Sequence, residues 1–343
     1  MAATTFANCT FAPAVYSDAL ILESLTLNAF AQSGVFQTDP TVRNFLTSEQ
    51  AGTIYIRRFD PLAEGEGLIP SDTGSAGAVG NITMSSYAAI KQALVHMVGS
   101  ADIIPYLNDE DPMEAIQMGM AKWWSAIWNR RAIASMTGIL ADNIAADNED
   151  MVNDISSATF AGITVANTIS ASAIVAAERT MGDRGDGLGV MCVHSAIYYD
   201  LKDNDLIDYL EDSKGDKTIA TYRGYRLVVD DALPAVTYDT SAIKYTTYLV
   251  APGALAVEVT GAKVPVAVER DEKANNGGGT ETLIERNNFI IHPYGFSWIA
   301  GSVADANGFP TEAELALAAN WNRIDTRKRI GIAAIISNSL TQV

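Results

Sequence analysis

Few residues in the chain have side chains that could do chemistry. Asp230 and Asp231 stand together in "YRGYRLVVDDALPA", and His194 and Ser195 lie upstream in "GVMCVHSAIYYDL". Two acids could divide general acid and base duty, and a serine beside a histidine could be an activated nucleophile. The spacing opposes both. Neighbours on a strand point to opposite faces, so adjacent acids cannot converge on one substrate. The turn formers of "DDALP" predict a solvated strand end. A nucleophile and its base come from separated segments, and no Gly-x-Ser-x-Gly elbow surrounds any serine. "VHSAIYYDL" reads as a strand running into a helix, with Ser195 near the N-cap.

Other chemistries are as poorly supplied. The chain has three histidines, His96, His194 and His292, and no C-x-x-C or H-E-x-x-H pattern. The run Asp200, Asp203, Asp205, Asp208, Glu211 and Asp212 lacks the glycine and terminal glutamate of a calcium loop, and reads as a solvated helix face. "GDRGDGLGV" (182–190) precedes a strand, the wrong order for cradling a phosphate, and Arg184-Gly185-Asp186 within it reads as ordinary loop. No catalytic, cofactor-binding or metal-binding residue is therefore assigned, no cofactor is expected, and the chain is not expected to be an enzyme. The basic cluster Arg323, Arg327, Lys328 and Arg329 could meet nucleic acid or an acidic neighbouring subunit. In a chain of net charge −18 the neighbour is favoured.

The 343 residues, 48% of them hydrophobic and 19% charged, can fill two or three packed units. Two distant cysteines, Cys9 and Cys192, fit a reducing compartment. The N-terminus has no basic residue ahead of an apolar stretch, and no apolar run is long enough to span a bilayer. The negative charge opposes tight binding to nucleic acid by counterion release, and opposes an anionic membrane.

The elements follow from periodicity. Residues 1–46 read as an arm, with a helix near 16–30. "GTIYIRRFD" alternates like a half-wet strand, "LAEGEGLIPSDTGSAGAVG" is loop, and "NITMSSYAAIKQALVHMV" returns as a strand whose later part could be helical. Over 111–144 the signals of a helix accumulate. Asp111 suits the N-cap, Pro112 the first position and Glu114 the capping box. Met113, Ile116, Met120, Trp123 and Ile127 mark one face, continued by Ile133, Met136 and Leu140. About 30 residues at 1.5 Å each make a rod of roughly 45 Å. Beyond it come a helix in "SASAIVAAERTMGD", a buried strand "GVMCVH", a helix "SAIYYDLKDND", and strands in "YRGYRLVVDD" and "YTTYLVAP". "ALAVEVTG", "VPVAVERDE" and "TETLIERNNFIIHPYGFSWIA" are strands, and "KANNGGG" turns a long hairpin. Thr311 and Glu314 have capping-box spacing for a late helix, and "RIGIAAIIS" closes as a strand.

The order of these pieces resembles the major capsid proteins of tailed bacteriophages, which have the Hong Kong 97-type fold. The resemblance rests chiefly on "VMCVHSAIYYDLKDNDLID" followed by "TIATYRGYRLVVDDALP". There a strand ending in His-Ser leads into a helix, and a turn carried by Gly224 after Thr221 leads into a strand ending in acids. "IYIRRFDPLAEGEGLIP" and "NITMSSYAAIKQALVHM" are similar to the two limbs of the family's extended loop. "ERNNFIIHPYGFSWI" and "NWNRIDTRKRIGIAAII" are similar to its long peripheral strand and closing segment. The resemblance implies an α+β subunit with an N-terminal arm over 1–46 and an extended loop (a β-hairpin) over 47–98. It implies a peripheral domain with a spine helix over 99–154 and an axial domain over 155–254. A peripheral return with a long β-hairpin would follow over 255–299, and an axial closing segment over 300–343.

It further implies self-assembly into hexamers and pentamers of an icosahedral shell around double-stranded DNA, in a virion assembled in the host cytoplasm. Partners would be scaffolding and portal proteins and, as an option, a decoration protein, with no membrane involved. The chain begins almost directly with the arm, so a separate scaffolding protein is expected. Some relatives weld their loops through a lysine. Here no lysine precedes Lys91, so no loop-borne cross-link is expected. Two alternatives stand beside this reading: an encapsulin-type nanocompartment shell and, remotely, a soluble α/β hydrolase using Ser195 and His194.

Overall fold

The computed structural model describes residues 28–47, 52–60, 81–101, 112–204, 206–211, 217–238 and 242–340. The described chain opens with helix α1 (Ala29–Ser33), strand β1 (Phe36–Gln37) and helix α2 (Pro40–Thr47). Asn28 caps α1 by accepting the N–H of Ala31, and its amide donates to Ser125 O on the spine. Most of the helix expected near 16–30 lies outside the described residues.

Strand β2 (Thr53–Phe59) pairs antiparallel with β3 (Met84–Ile90), the two limbs of the expected hairpin; the loop between them lies outside the described residues. The return limb does not become helical. After one residue it runs on as β4 (Gln92–Ala101), because alternating side chains there face a core on one side only.

The spine helix α3 (Pro112–Ala146) matches the expected span to within two residues. The proposed cap Asp111 and the side chain of Glu114 lie outside what is described. The buried face is rotated from the expected one: Trp124 and Trp128 are fully buried, whereas Trp123 and Ile127 are half-covered. From Arg131 to Leu140 nearly every residue is buried, so the helix passes through the protein there and does not lie on its surface. At Gly138 an added Cβ would come 2.1 Å from Leu315 O and 2.4 Å from Trp321 Nε1. Only a glycine lets the tail approach this closely.

A mixed sheet follows. It is built from β5 (Val152–Asp154), β6 (Val190–Val193), β7 (Asp208–Glu211), β8 (Lys217–Tyr222), β9 (Tyr225–Val229), β10 (Ala235–Thr237) and β11 (Ile243–Val250), and β16 (Ile332–Ser337) returns to it from the C-terminal end. The order is β5-β16-β11-β6-β9-β8-β7, with β10 beside β11. Helices α4 (Ala171–Arg179) and α5 (Ser195–Asp203) pack on it through Ile174, Ala177, Ile197 and Leu201. Arg223 and Gly224, both at positive φ, form the tight turn of the β8–β9 hairpin, the conformation that a two-residue hairpin requires.

The second sheet carries the spine. Its strands β12 (Leu255–Asp271) and β13 (Thr280–Pro293) form the long hairpin, flanked by β1 and β4. The two strands expected at "ALAVEVTG" and "VPVAVERDE" are one strand, with its register shifted between Gly261 and Val266. Last come β14 (Phe296–Trp298), helix α6 (Glu312–Leu315) and β15 (Trp321–Arg323). The capping box forms as read: Thr311 and Glu314 exchange side-chain and backbone hydrogen bonds.

Candidate functional site

The residues singled out for chemistry do come together, but as a helix cap. Strand β9 ends at Val229, so Asp230 and Asp231 sit in the following turn, one step beyond the expected strand end. Asp230 folds onto its own loop, its Oδ1 accepting the N–H of Ala232. Asp231 reaches across to α5, where its Oδ1 accepts the N–H of Ser195 at 3.2 Å. His194 is the N-cap residue, its Nδ1 accepting the N–H of Ala196. Its Nε2 lies 4.0 Å from Asp231 Oδ1. Ser195 is the first helical residue.

The two carboxyls differ in state. Burial raises Asp230 above the usual carboxylate range. Hydrogen bonds from Ser195 hold Asp231 below it. Carboxyls pushed apart in this way can mark an acid/base pair. Here the low one accepts from Ser195 and the histidine's Nδ1 is engaged by the backbone N–H of Ala196, so the histidine's Nδ1 is not aimed at Ser195 Oγ. The cluster satisfies orphan N–H groups at the start of α5. Elsewhere, burial pushes up the Cys192 thiol on β6, which suits an inert core cysteine. No group of three or more His, Cys, Asp or Glu that could hold a metal occurs among the described residues. No helix among them is long and apolar enough to cross a membrane.

In the acidic run, Asp200 is half-buried and Asp203 and Asp208 are exposed; Asp205 and Asp212 lie outside the described residues. The glycine-rich stretch forms a 3-10 turn over Gly182–Gly187, with Gly185 packed against Glu178 O.

The basic cluster is corrected by the structure. All four cations have partners within the chain, because the fold carries its own acids to them. Arg323 reaches Asp150 at 2.5 Å and Asp147 at 3.5 Å. Buried Arg327 donates to Asp150 O, Ile330 O and Thr180 Oγ1. Lys328 pairs with Asp183 and Arg329 with Asp325. The cluster therefore clamps the tail onto the end of the spine and the end of α4, while the Lys328–Asp183 pair stays on the surface.

Buried polar ties that the sequence did not signal hold the spine on its sheet. Trp124 Nε1 donates to Glu285 Oε2 at 2.8 Å. Arg131 donates to Gln92 Oε1 and Pro310 O and lies over the Phe289 ring. The root of the extended hairpin is fixed by stacked rings: Tyr87 on His292, and His292 against Trp321. Ser297 Oγ also accepts the N–H of Ala88. Helix α2 is held at Glu258 by Arg43 at 3.5 Å.

What remains open is apolar surface on that hairpin. Tyr55, Phe59 and Met84 are 65%, 71% and 57% exposed, and Phe59 lies directly across from Met84. Among the described residues the arrangement therefore offers contact surface.

Comparison with known proteins agrees. The model of the family "Gp13-like: Major capsid protein 13-like" matches residues 75–331. The major capsid protein of Bacillus phage SPP1 is 28% identical over 326 residues, covering 93% of this chain and 94% of that protein. Among solved structures, the cyanophage Pam1 capsid asymmetric unit aligns with a TM-score of 0.57 at 9% identity, over 91% of this chain and 92% of that one. The capsid of Ralstonia phage GP4 aligns at 0.56 and 9% identity, over 89% and 86%. These likenesses show the α+β, Hong Kong 97-type capsid fold. The encapsulin and hydrolase alternatives find no support in them.

Proposed function

The chain belongs to the major capsid protein 13-like family, and from that premise we propose how its copies build a shell. It is a structural major capsid protein of a tailed phage and resides in the virion capsid. In our reading, copies gather as hexamers and pentamers around an axial domain of residues 155–254, closed by 300–343. The peripheral parts, 99–154 and 255–299, form the flat outer region, and the arm (1–46) and extended loop (47–98) lap over neighbours.

The observation that carries this reading is the outward face of the hairpin. Its inward residues Ile54 and Ile56 are buried, whereas Tyr55, Phe59 and Met84 lie open on one strip. A cross-strand apolar strip on so thin an element needs a cover, and we assign that cover to a neighbouring copy. Electron microscopy of the expressed protein, alone and with a phage scaffolding protein, tests this. Hollow particles are expected, and Phe59→Asp should abolish them while the subunit stays folded. A protein monomeric under both conditions would refute the reading.

The content is double-stranded DNA, and scaffolding, portal and, as an option, decoration proteins are the partners. With −18 on each subunit, the wall cannot hold DNA by counterion release, so packaging must be driven. Empty shells that bind free DNA at low salt and lose it steeply as salt rises would contradict this.

A further inference from the structure

The end of the spine helix places three carboxyls around two arginines. Asp142 lies in the last turn of α3, Asp147 just after it, and Asp150 in the loop leading to β5. Arg323 on β15 and Arg327 in the following turn face them from the tail. Two residues between the acids, Asn148 and Glu149, hold positive φ, an uncommon conformation for side chains larger than glycine. Asn143 ties the loop down, donating to Asp150 Oδ1 and accepting the N–H of Met151. The remaining charge in the loop, Glu149, is exposed, and with Ile144 and Val152 it lines a cavity of about 200 Å3 beside the joint.

Asp142 fits this network badly as an anion. Its residue is only 7% exposed, and its Oδ2 takes part in no hydrogen bond among the described residues. It accepts the backbone N–H of Arg323, but the Arg323 guanidinium is engaged by Asp147 and Asp150. Asp147 Oδ2 is also buried and accepts no hydrogen bond among the described residues; Arg323 Nε lies 3.5 Å from it. A buried acceptor without a donor is unfavourable, and a proton supplies the donor.

We propose that Asp142 is a pH-operated latch on the joint between the spine helix and the tail. With its proton, the carboxyl can donate a hydrogen bond inside the cluster and holds the 147–151 turn closed. When the proton leaves to solvent, a buried anion faces Asp147 and the turn loosens toward the adjoining cavity. Burial, and then the charge of Asp147, raise the Asp142 carboxyl to about 6, while Arg323 opposes them. Its folded value thus exceeds the unfolded one. The stabilisation is complete below about pH 4 and is lost as pH rises through 6. The latch belongs to the subunit; its consequence for a shell rests on the function proposed above.

The test compares melting temperatures of wild type and Asp142→Asn from pH 4.5 to 8.5. Asparagine supplies a permanent donor, so the wild type should fall progressively behind the variant through pH 6. Parallel profiles would overturn the latch. Should Asp142→Asn fail to fold, Asp147→Asn gives an independent arm. Infrared titration of the buried protonated carboxyl should then show its midpoint shifted to lower pH than in wild type, and an unshifted midpoint would overturn the latch. Both readouts use the subunit in whatever assembly it adopts. A failed latch therefore shows in these profiles, and a failed shell reading shows separately in micrographs.

Discussion

Gly138→Ala should destabilise the protein although helix propensity favours it. Inside a helix, alanine is preferred over glycine by about 1 kcal/mol. At Gly138, however, the new Cβ would lie 2.1 Å from Leu315 O and 2.4 Å from Trp321 Nε1. These two atoms form a buried 2.7 Å hydrogen bond with each other. Overpacking costs ~1–3 kcal/mol, and separating a buried donor from its acceptor costs ~1–3 kcal/mol more. Against the propensity gain, the net expectation is about 3 kcal/mol of lost stability. Gly119 is the internal control. It lies in the same helix, is exposed, and an added Cβ there meets nothing within 4 Å. Gly119→Ala should therefore stabilise by up to about 1 kcal/mol. Guanidinium unfolding followed by fluorescence of the buried tryptophans measures both. The reasoning fails if Gly138→Ala is as stable as wild type, or if the two variants shift in the same direction.

Trp124→Phe should cost ~2–3 kcal/mol by taking a hydrogen-bond donor from buried Glu285, and adding Glu285→Leu should recover much of the loss in a double-mutant cycle. Arg327→Met should cost roughly 3 kcal/mol, since it strips hydrogen bonds from the Asp150 and Ile330 carbonyls and from Thr180 Oγ1. Lys328→Ala, in a solvent-exposed pair, should leave the melting temperature unchanged. His292, which burial lowers to about 4, stays neutral in the fold. Its contribution is present above pH 6.5 and lost as pH falls toward 4, opposite in sign to that of Asp142, so His292→Phe should flatten the acid limb of a stability–pH curve. A denaturing gel of mature particles should show a single monomer band, because no lysine precedes Lys91; a ladder surviving boiling and reduction would contradict that.

Much of the fold was legible because its signals are local. Thr311 and Glu314 announced their capping box by spacing alone, and it forms. "KANNGGG" announced the turn of the long hairpin, and Asn275 and Asn276 adopt positive φ there with Gly277 and Gly279. The spine was visible from its periodicity, but not which face is most deeply buried. Trp123 and Trp124 are equally apolar, and the tie to Glu285 on β13 marks Trp124 as the inner one.

Composition and local pattern thus set an acidic chain of alternating helices and strands; the resemblance of its ordered motifs to capsid subunits, and not composition, implied the α+β capsid fold. They could not decide which charges meet. Arg323 and Asp150 stand 173 residues apart and bond at 2.5 Å, turning an apparently free basic patch into an internal clamp. They could not decide that Asp231 caps α5 from 36 residues away, or that Asp142 is buried beside another acid. Hydrogen-bond satisfaction and carboxyl protonation depend on distance and burial in space. Only the folded chain brings such remote residues within a few ångströms of one another.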